Sequence, residues 1–480
     1  MKKVFSIVVL AALTGGGSNQ AWAKVYAEKQ SGRSFLLALG GEGAEESGHS
    51  KQELTVEHNN RGISYEEKGF YDQAIEEYNA AIRVMPDYST PYNNRGYAYY
   101  KKRLYDRAIE DYNAALRLKP DSSMVYNNRG IAYAAKGLYD PAIADYNDAI
   151  RLKPDYALAY NNRGYAYYKK GFLDRAIQNY DSAVRLQPNN SSAFYNRGIA
   201  YTDKGLYDRS IADYDEAARL EPDSPDIYFR RGMAYAKKGL YDQAIADYDH
   251  AIGLKPDHEA AYNNRGYAYY EKGLYEWAIE DLTIATHFQP DFAIAYNNRG
   301  VAYAAEGFFE RAVKEYDRAI SLDQNFTAAY INRGNANFYL GRFGDAATDY
   351  GRTLSGDRSD IVPAIWLYLA RQRFGVNGEE QLVSAAVGRD LRQWPGPVVK
   401  LLLGNASPEE VLQAVERADG NLRRERACEA FFYLGEYHLI RGKPETAAAF
   451  FQKSVDTGLK NFVEYIGSKV ELEKLSQARP

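Results

Sequence analysis

The dipeptide Arg-Gly recurs every 34 residues, nine times in strict phase, at Arg61-Gly62, Arg95-Gly96, Arg129-Gly130, Arg163-Gly164, Arg197-Gly198, Arg231-Gly232, Arg265-Gly266, Arg299-Gly300 and Arg333-Gly334. A fixed period of that length means that one supersecondary unit is stacked on copies of itself, each burying a face that its neighbour completes. The 480 residues therefore read as one long array with additions at its ends, rather than as a row of unrelated globular domains. The working surface of such a chain is built by the stacking, and suits binding better than catalysis.

Counted from Thr55, the first unit sets Gly62, Tyr65, Ala74, Tyr78, Ala81 and Pro86 at positions 8, 11, 20, 24, 27 and 32. Positions 4, 8 and 11 share one face of a first helix, and positions 20, 24 and 27 share one face of a second. Glycine faces alanine where the helices must touch, as Gly96 with Ala108 and Gly130 with Ala142. Tyr99 with Tyr112, and Tyr133 with Tyr146, fill the core beyond. A larger group at such a glycine overpacks the contact, at ~1–3 kcal/mol.

A second glycine, as in Lys136-Gly137-Leu138-Tyr139-Asp140, ends the first helix with a left-handed residue, although unit two has Arg103 there. The run Lys-Pro-Asp, as in Lys119-Pro120-Asp121 and Lys153-Pro154-Asp155, stops the second helix and offers a carboxylate to cap the next. Gln324 and Arg358 replace that proline late in the array, and Asn337 replaces the tyrosine of position 11. From Thr55 to about residue 358 the pattern closely resembles the tetratricopeptide (TPR) repeat. The resemblance implies an all-α fold: a right-handed superhelical solenoid of nine regular helix-turn-helix repeats, over residues 53–358.

Ahead of the array, Lys2 and Lys3, the apolar run Val4 to Leu13 and the sequence Ala21-Trp22-Ala23 form a signal peptide, 1–23, cut after Ala23. Its apolar run is short of the ~20 residues that span a bilayer, so the mature chain is expected to be exported, periplasmic and without a transmembrane segment. Residues 24–52, with Gly40-Gly41-Glu42-Gly43, read as a flexible leader. No cysteine follows the signal peptide to take a lipid, and the single Cys428 permits no intrachain disulfide. With 60 basic against 64 acidic residues, the charge balance gives no reason to expect nucleic acid as a partner.

Residues 359–480 read as a C-terminal helical domain. Ile365-Trp366-Leu367-Tyr368-Leu369-Ala370 opens a helix, and Ser407-Pro408-Glu409-Glu410 is a capping box with proline at the first helical position. Phe431, Gly435, His438, Ala447 and Phe451 keep the repeat spacing as a degenerate tenth unit, capped by a last helix from Asn461 to Leu475. The segments Trp366-Leu367-Tyr368-Leu369-Ala370, Leu401-Leu402-Leu403-Gly404-Asn405, Phe432-Tyr433-Leu434-Gly435-Glu436-Tyr437 and Asn461-Phe462-Val463-Glu464 resemble the end of NlpI-type envelope lipoproteins. That resemblance implies a periplasmic adaptor, usually a homodimer, presenting peptidoglycan hydrolases to one another or to a tail-specific protease. The chain departs from that family in lacking the lipid-attachment cysteine and in having more repeats.

Positions 5, 9 and 12 lie one residue round from the core stripe, on what the TPR resemblance makes the concave, ligand-facing side. There the chain offers Asn93, Tyr97 and Tyr100; Asn127; Asn161, Tyr165 and Tyr168; and Asn263, Tyr267 and Tyr270. An amide pairs with both polar groups of an extended peptide backbone, and tyrosine adds a broad apolar face with little entropy loss. Units one and three carry Ile63 and Glu66, and Ile131 and Ala134, instead. A competing reading spends the asparagine pairs, through Asn94 or Asn162, on hydrogen bonds within the stack. The arginine of position 7 likewise either pairs with carboxylates such as Asp111 and Asp145 or tracks an anionic ligand.

The six histidines are scattered without metal-ligand spacing, so neither a metal, a cofactor nor a catalytic triad is expected. Two functional readings follow. One is a non-catalytic scaffold for protein or peptide clients of the cell envelope; the other is a peptidoglycan- or polysaccharide-binding structural protein, since tyrosines also stack on sugars.

Overall fold

A computed structural model describes residues 50–354 and 360–477, and every regular element among the described residues is a helix. The signal peptide, nearly all of the leader, and Arg358 lie outside them. Each repeat is a helical hairpin. First helices typically run over 13 residues, as Ser89–Lys101 and Ser123–Ala135, and second helices over 14, as Tyr105–Leu118 and Tyr139–Leu152.

The second helix supplies the core, because its alanines bring the backbones together and its tyrosine fills what remains. In repeat three Ala142, Tyr146 and Ala149 are all buried. A methyl group added to Gly130 would lie 2.6 Å from Tyr146 Cε1, so the ring is laid directly across the glycine of the first helix. Gly300 meets Tyr316 in the same way, and in repeat seven Leu282 takes the ring's place against Gly266. The tyrosines of position 11 pack against this core from its edge. Tyr99 and Tyr133 are only half-buried, because position 11 reaches the rim of the hairpin, where the Arg107 guanidinium stands 5.7 Å from the Tyr99 ring centre.

The turn inside each hairpin needs one left-handed residue. Gly137 adopts φ 78°, and Arg103, in the equivalent place, is held at φ 62°. A side chain at such an angle is strained against its own backbone, so Arg103→Gly is expected to stabilise the chain by about 1 kcal/mol. Urea unfolding of the variant, followed by circular dichroism, checks this; an unchanged or lower midpoint contradicts it.

Between repeats the helix stops as expected, with Leu118 last and Lys119 at its cap before Pro120. The aspartate does not cap the next helix. Proline and aspartate occupy the turn, so the cap falls one residue later, on Ser122, whose side chain accepts from the Val125 N–H, or on Asn190, which accepts from Ala193. Where that residue is Tyr88 or Tyr156 there is no side-chain cap.

The described residues form two compact units, one ending at Gly239 and the other beginning at Leu240, between the two helices of repeat six. In the first, successive hairpins pack from repeat one onward. In the second, repeats seven to nine lead into Val362–Arg373, three short helices, a tenth hairpin of Gly420–Ile440 and Pro444–Asp456, and a last helix Val463–Gln477. The capping box is present, with Ser407 and Glu410 exchanging bonds. Gly435 faces the ring of Phe451, repeating the glycine-to-ring contact of the regular units. The last helix packs on the tenth hairpin, as a cap should, and also reaches back to repeats seven and nine.

Candidate binding face

Two ladders run along the stack and decide which side chains are left to meet a ligand. The first is built by the arginine of position 7. Arg129 donates Nε and Nη2 to the two carboxylate oxygens of Asp145 at 2.9 and 2.6 Å, and Nη1 to Asn113 of the preceding repeat at 2.6 Å. Arg95 holds Asp111 and Asn79 in the same way. Each guanidinium therefore ties its own second helix to the one before it, with geometry that only the planar fork provides. Burial lifts the Asp145 carboxyl, and the facing guanidinium opposes that lift. The carboxylate pairing foreseen for these arginines is what forms, rather than a track open to an anionic ligand.

The second ladder is made of amides. Nδ2 of the second asparagine in one repeat donates to Oδ1 of the first asparagine in the repeat before: Asn94 to Asn59, Asn128 to Asn93, Asn162 to Asn127 and Asn196 to Asn161, all at 3.0–3.1 Å. In the second compact unit Asn298 donates to Asn263, and Asn332 to Asn297. Asn93, Asn127, Asn161 and Asn263 are consequently buried, with their carbonyl oxygens engaged in the stack. A buried polar group left unpaired is costly, so this ladder explains why both asparagines recur.

The tyrosines divide into two groups. Tyr97, Tyr100, Tyr165 and Tyr168 are half-buried, each keeping part of its ring on the surface. Tyr97 and Tyr100 lie 6.4 Å apart, Tyr100 stands 5.8 Å from Tyr105, and Lys101 Nζ lies 5.3 Å from the Tyr97 ring centre. Tyr168 donates to Asp203 of the next repeat at 2.7 Å. Burial pushes the hydroxyls of Tyr100 and Tyr165 up to about 12, so both remain neutral donors at any ordinary pH. By contrast Tyr267 and Tyr270, foreseen as ligand-facing, are 7 % and 5 % exposed. Tyr267 is bonded to Glu271, and Tyr270 is packed on Tyr275.

Of the charged groups on this face, Glu66 was read from the repeat and Arg230 was not. Burial raises the Glu66 carboxyl to about 7 against the opposing Tyr78 hydroxyl bond and the Lys101 charge. In repeat six Arg230 stands where the second asparagine belongs and donates to Tyr195, which stands where the first belongs. The signal was in the sequence: Phe229-Arg230-Arg231-Gly232 breaks the Asn-Asn-Arg-Gly run. Cys428 is fully buried, and burial pushes its thiol up to about 12, against bonds to Thr457 and Ser454. Among the described residues no three His, Cys, Asp or Glu side chains are grouped to hold a metal, and no helix is long and apolar enough to cross a membrane.

Family models described as tetratricopeptide repeat or TPR repeat match residues 59–123, 132–171, 161–225, 195–259, 229–286, 266–307 and 293–326, which together take in more than half of the chain. Among solved structures, the chain is similar to YrrB, titled a TPR protein with an unusual peptide-binding site, at 25 % identity over 39 % of this chain and 96 % of that one, TM-score 0.35. It is similar to MamA at 28 % identity, over 34 % of this chain and 94 % of that one, TM-score 0.32. A TPR protein from Parabacteroides merdae matches at 21 % identity, over 51 % and 97 % of the two chains, TM-score 0.42. Sequence period, glycine-to-ring hairpins and the family-model matches agree: the chain belongs to the tetratricopeptide-repeat proteins, a fold that serves as a protein-interaction scaffold.

Proposed function

We propose that the chain is a non-catalytic adaptor that captures extended segments of client proteins on the first-helix face of repeats two and four. The observation that carries this is the contrast within that face. The asparagines and arginines are spent on the ladders, while Tyr97, Tyr100, Tyr165 and Tyr168 keep part of their ring surface exposed. Rigid amphipathic side chains of this kind give contact area at small entropic cost and tolerate varied sequences. The signal-peptide pattern and the C-terminal likeness to NlpI-type lipoproteins support an exported, envelope location, with peptidoglycan hydrolases and a tail-specific protease as the clients and a homodimer as the assembly.

Changing all four tyrosines to alanine is expected to lower client capture from a native envelope extract by about three orders of magnitude, if each ring contributes near 1 kcal/mol. Helicity should be largely retained, because all four are only half-buried, although Tyr100 and Tyr168 also pack against the hairpin core. Undiminished capture by the folded variant would defeat the assignment. Co-sedimentation of the wild-type chain with isolated cell wall, lost in the same variant, would instead favour sugar stacking.

A further inference from the structure

Positions 9 and 12 of repeats seven to nine, namely Tyr267, Tyr270, Val301, Ala304, Asn335 and Phe338, are all buried. The chain's own end lies against this region. Tyr275, whose ring is 5.5 Å from that of Tyr270, donates its hydroxyl to Asn461 Oδ1 at 3.0 Å. Tyr339 donates to the main-chain oxygen of Val463 at 2.7 Å. A methyl group on Gly467 would come within 3.0 Å of the Tyr339 ring, so the last helix passes over that ring at its one residue without a side chain. Tyrosine hydroxyls here read an amide side chain and a main-chain carbonyl two residues further on. Both are groups that a client segment can offer.

We propose that residues 461–467 are an intramolecular ligand of repeats seven to nine, which an external segment of the same kind displaces: one with an amide side chain two residues before a carbonyl that opens a helix. This rests on the reading of the repeat face as a peptide-binding surface and extends it to a part of the chain where that surface is closed.

The resident contact has a built-in weakness. Glu464, next to Val463, is 3 % exposed and accepts from the Tyr433 hydroxyl at 3.2 Å. The groups that face it are Tyr433, Glu429 and Cys428 from the tenth hairpin, and Tyr339 and Tyr350 from repeat nine. Glu429 is a half-buried carboxyl, bonded by Trp394 Nε1 at 2.6 Å, raised by burial and lowered by the Arg426 charge. Among the described residues no cation pairs with Glu464 itself, unlike Glu436 and Glu471, which share Arg373, and Glu471, which also takes Lys474. Burial and the Glu429 charge push Glu464 up to about 8.

The sign follows from proton binding. Between the free value of 4.5 and about 8, the seated segment holds more proton than the released one, so seating weakens as pH rises through that window and levels off above it. The release equilibrium grows by at most about tenfold per pH unit for this one group.

The test uses the full chain near pH 5 and near pH 8. Amide exchange of residues 463–471, corrected for its intrinsic pH dependence, is expected to be at least about tenfold less protected at the higher pH. Glu464→Gln should keep the Tyr433 bond and flatten that response. Tyr339→Phe should raise exchange of the same residues at both pH values, leaving repeats two and four unchanged. The displacing probe is a labelled synthetic peptide of residues 457–477 carrying Glu464→Gln. It should bind the wild-type chain more tightly at the higher pH, strip protection from residues 463–471 as it binds, and show no such gain with the Glu464→Gln chain. Equal protection at both pH values, an equal response in the two chains, or peptide binding without loss of resident protection would each overturn the proposal. Because none of these readouts involves Tyr97, Tyr100, Tyr165 or Tyr168, failure here is distinct from failure of the client face.

Discussion

Trp366→Ala is expected to remove about 3–5 kcal/mol from the stability of the compact unit that begins at Leu240, the cost typical of deleting a buried aromatic that its surroundings cannot replace. Trp366 is 1 % exposed, and its ring lies 5.0 Å from Phe432, 5.3 Å from Phe338, 6.1 Å from Tyr350 and 6.4 Å from Tyr433. It is therefore packed by repeat nine on one side and the tenth hairpin on the other. Collapse of the cavity would require two rigid helical layers to move together. Among the described residues the indole N–H has no partner, so Trp366→Phe forfeits no hydrogen bond to them and should cost much less than alanine. Urea unfolding with exchange measured in residues 420–456 separates the two variants; equal costs would mean that the ring's size is not what joins the layers.

Arg129→Ala is expected to cost about 3 kcal/mol, because it strands a charge that the fold has taken out of water. The Asp145 side chain is 6 % exposed and takes both of its strong hydrogen bonds from Arg129. The penalty belongs to the orphaned carboxylate more than to the lost attraction. Asp145→Asn should then be mild, near 1 kcal/mol, since the amide still accepts from the guanidinium. Repeat four already has that arrangement, with Arg163 Nε bonded to Asn179 at 2.7 Å. Replacing Arg129 and Asp145 together by Met and Leu should restore most of the loss. A double variant as unstable as Arg129→Ala would show that the rung matters for its geometry rather than its charge. Chemical denaturation, with exchange followed in Tyr139–Leu152, distinguishes these outcomes.

The glycine of the first helix, expected to face alanine, meets the tyrosine ring first; the repeat, the hairpin and the carboxylate partners of Arg95 and Arg129 were readable from spacing. Each is a local relation, repeated until chance is excluded. The client face was less legible. A residue type at position 5 says nothing of what the next repeat does with it, and the amide of Asn128 or Asn162 claims the oxygen that a peptide would have used. Tyr267 and Tyr270 match Tyr165 and Tyr168 position for position, yet the first pair is buried and the second is not. What separates them is tertiary: Tyr267 packs on Tyr241 and Tyr270 on Tyr275, and Tyr275 in turn bonds Asn461, 186 residues further along, a distance that no periodicity records. The capping error had a smaller cause, a turn one residue longer than the Lys-Pro-Asp motif suggests.

Because the amide rungs join residues 35 apart and arginines such as Arg95 and Arg129 reach 16 residues in each direction, a whole hairpin can be copied or lost without leaving a broken bond at the seam. Such a chain can lengthen by duplication of a 34-residue cassette, and its reach along a client changes in whole steps. Repeat six interrupts the ladder, since its Phe229 offers no amide oxygen at position 5 and its Arg230 bonds Tyr195 at the join with repeat five. A cassette inserted there would meet a mismatched partner, which makes that join the fixed point about which the array can grow.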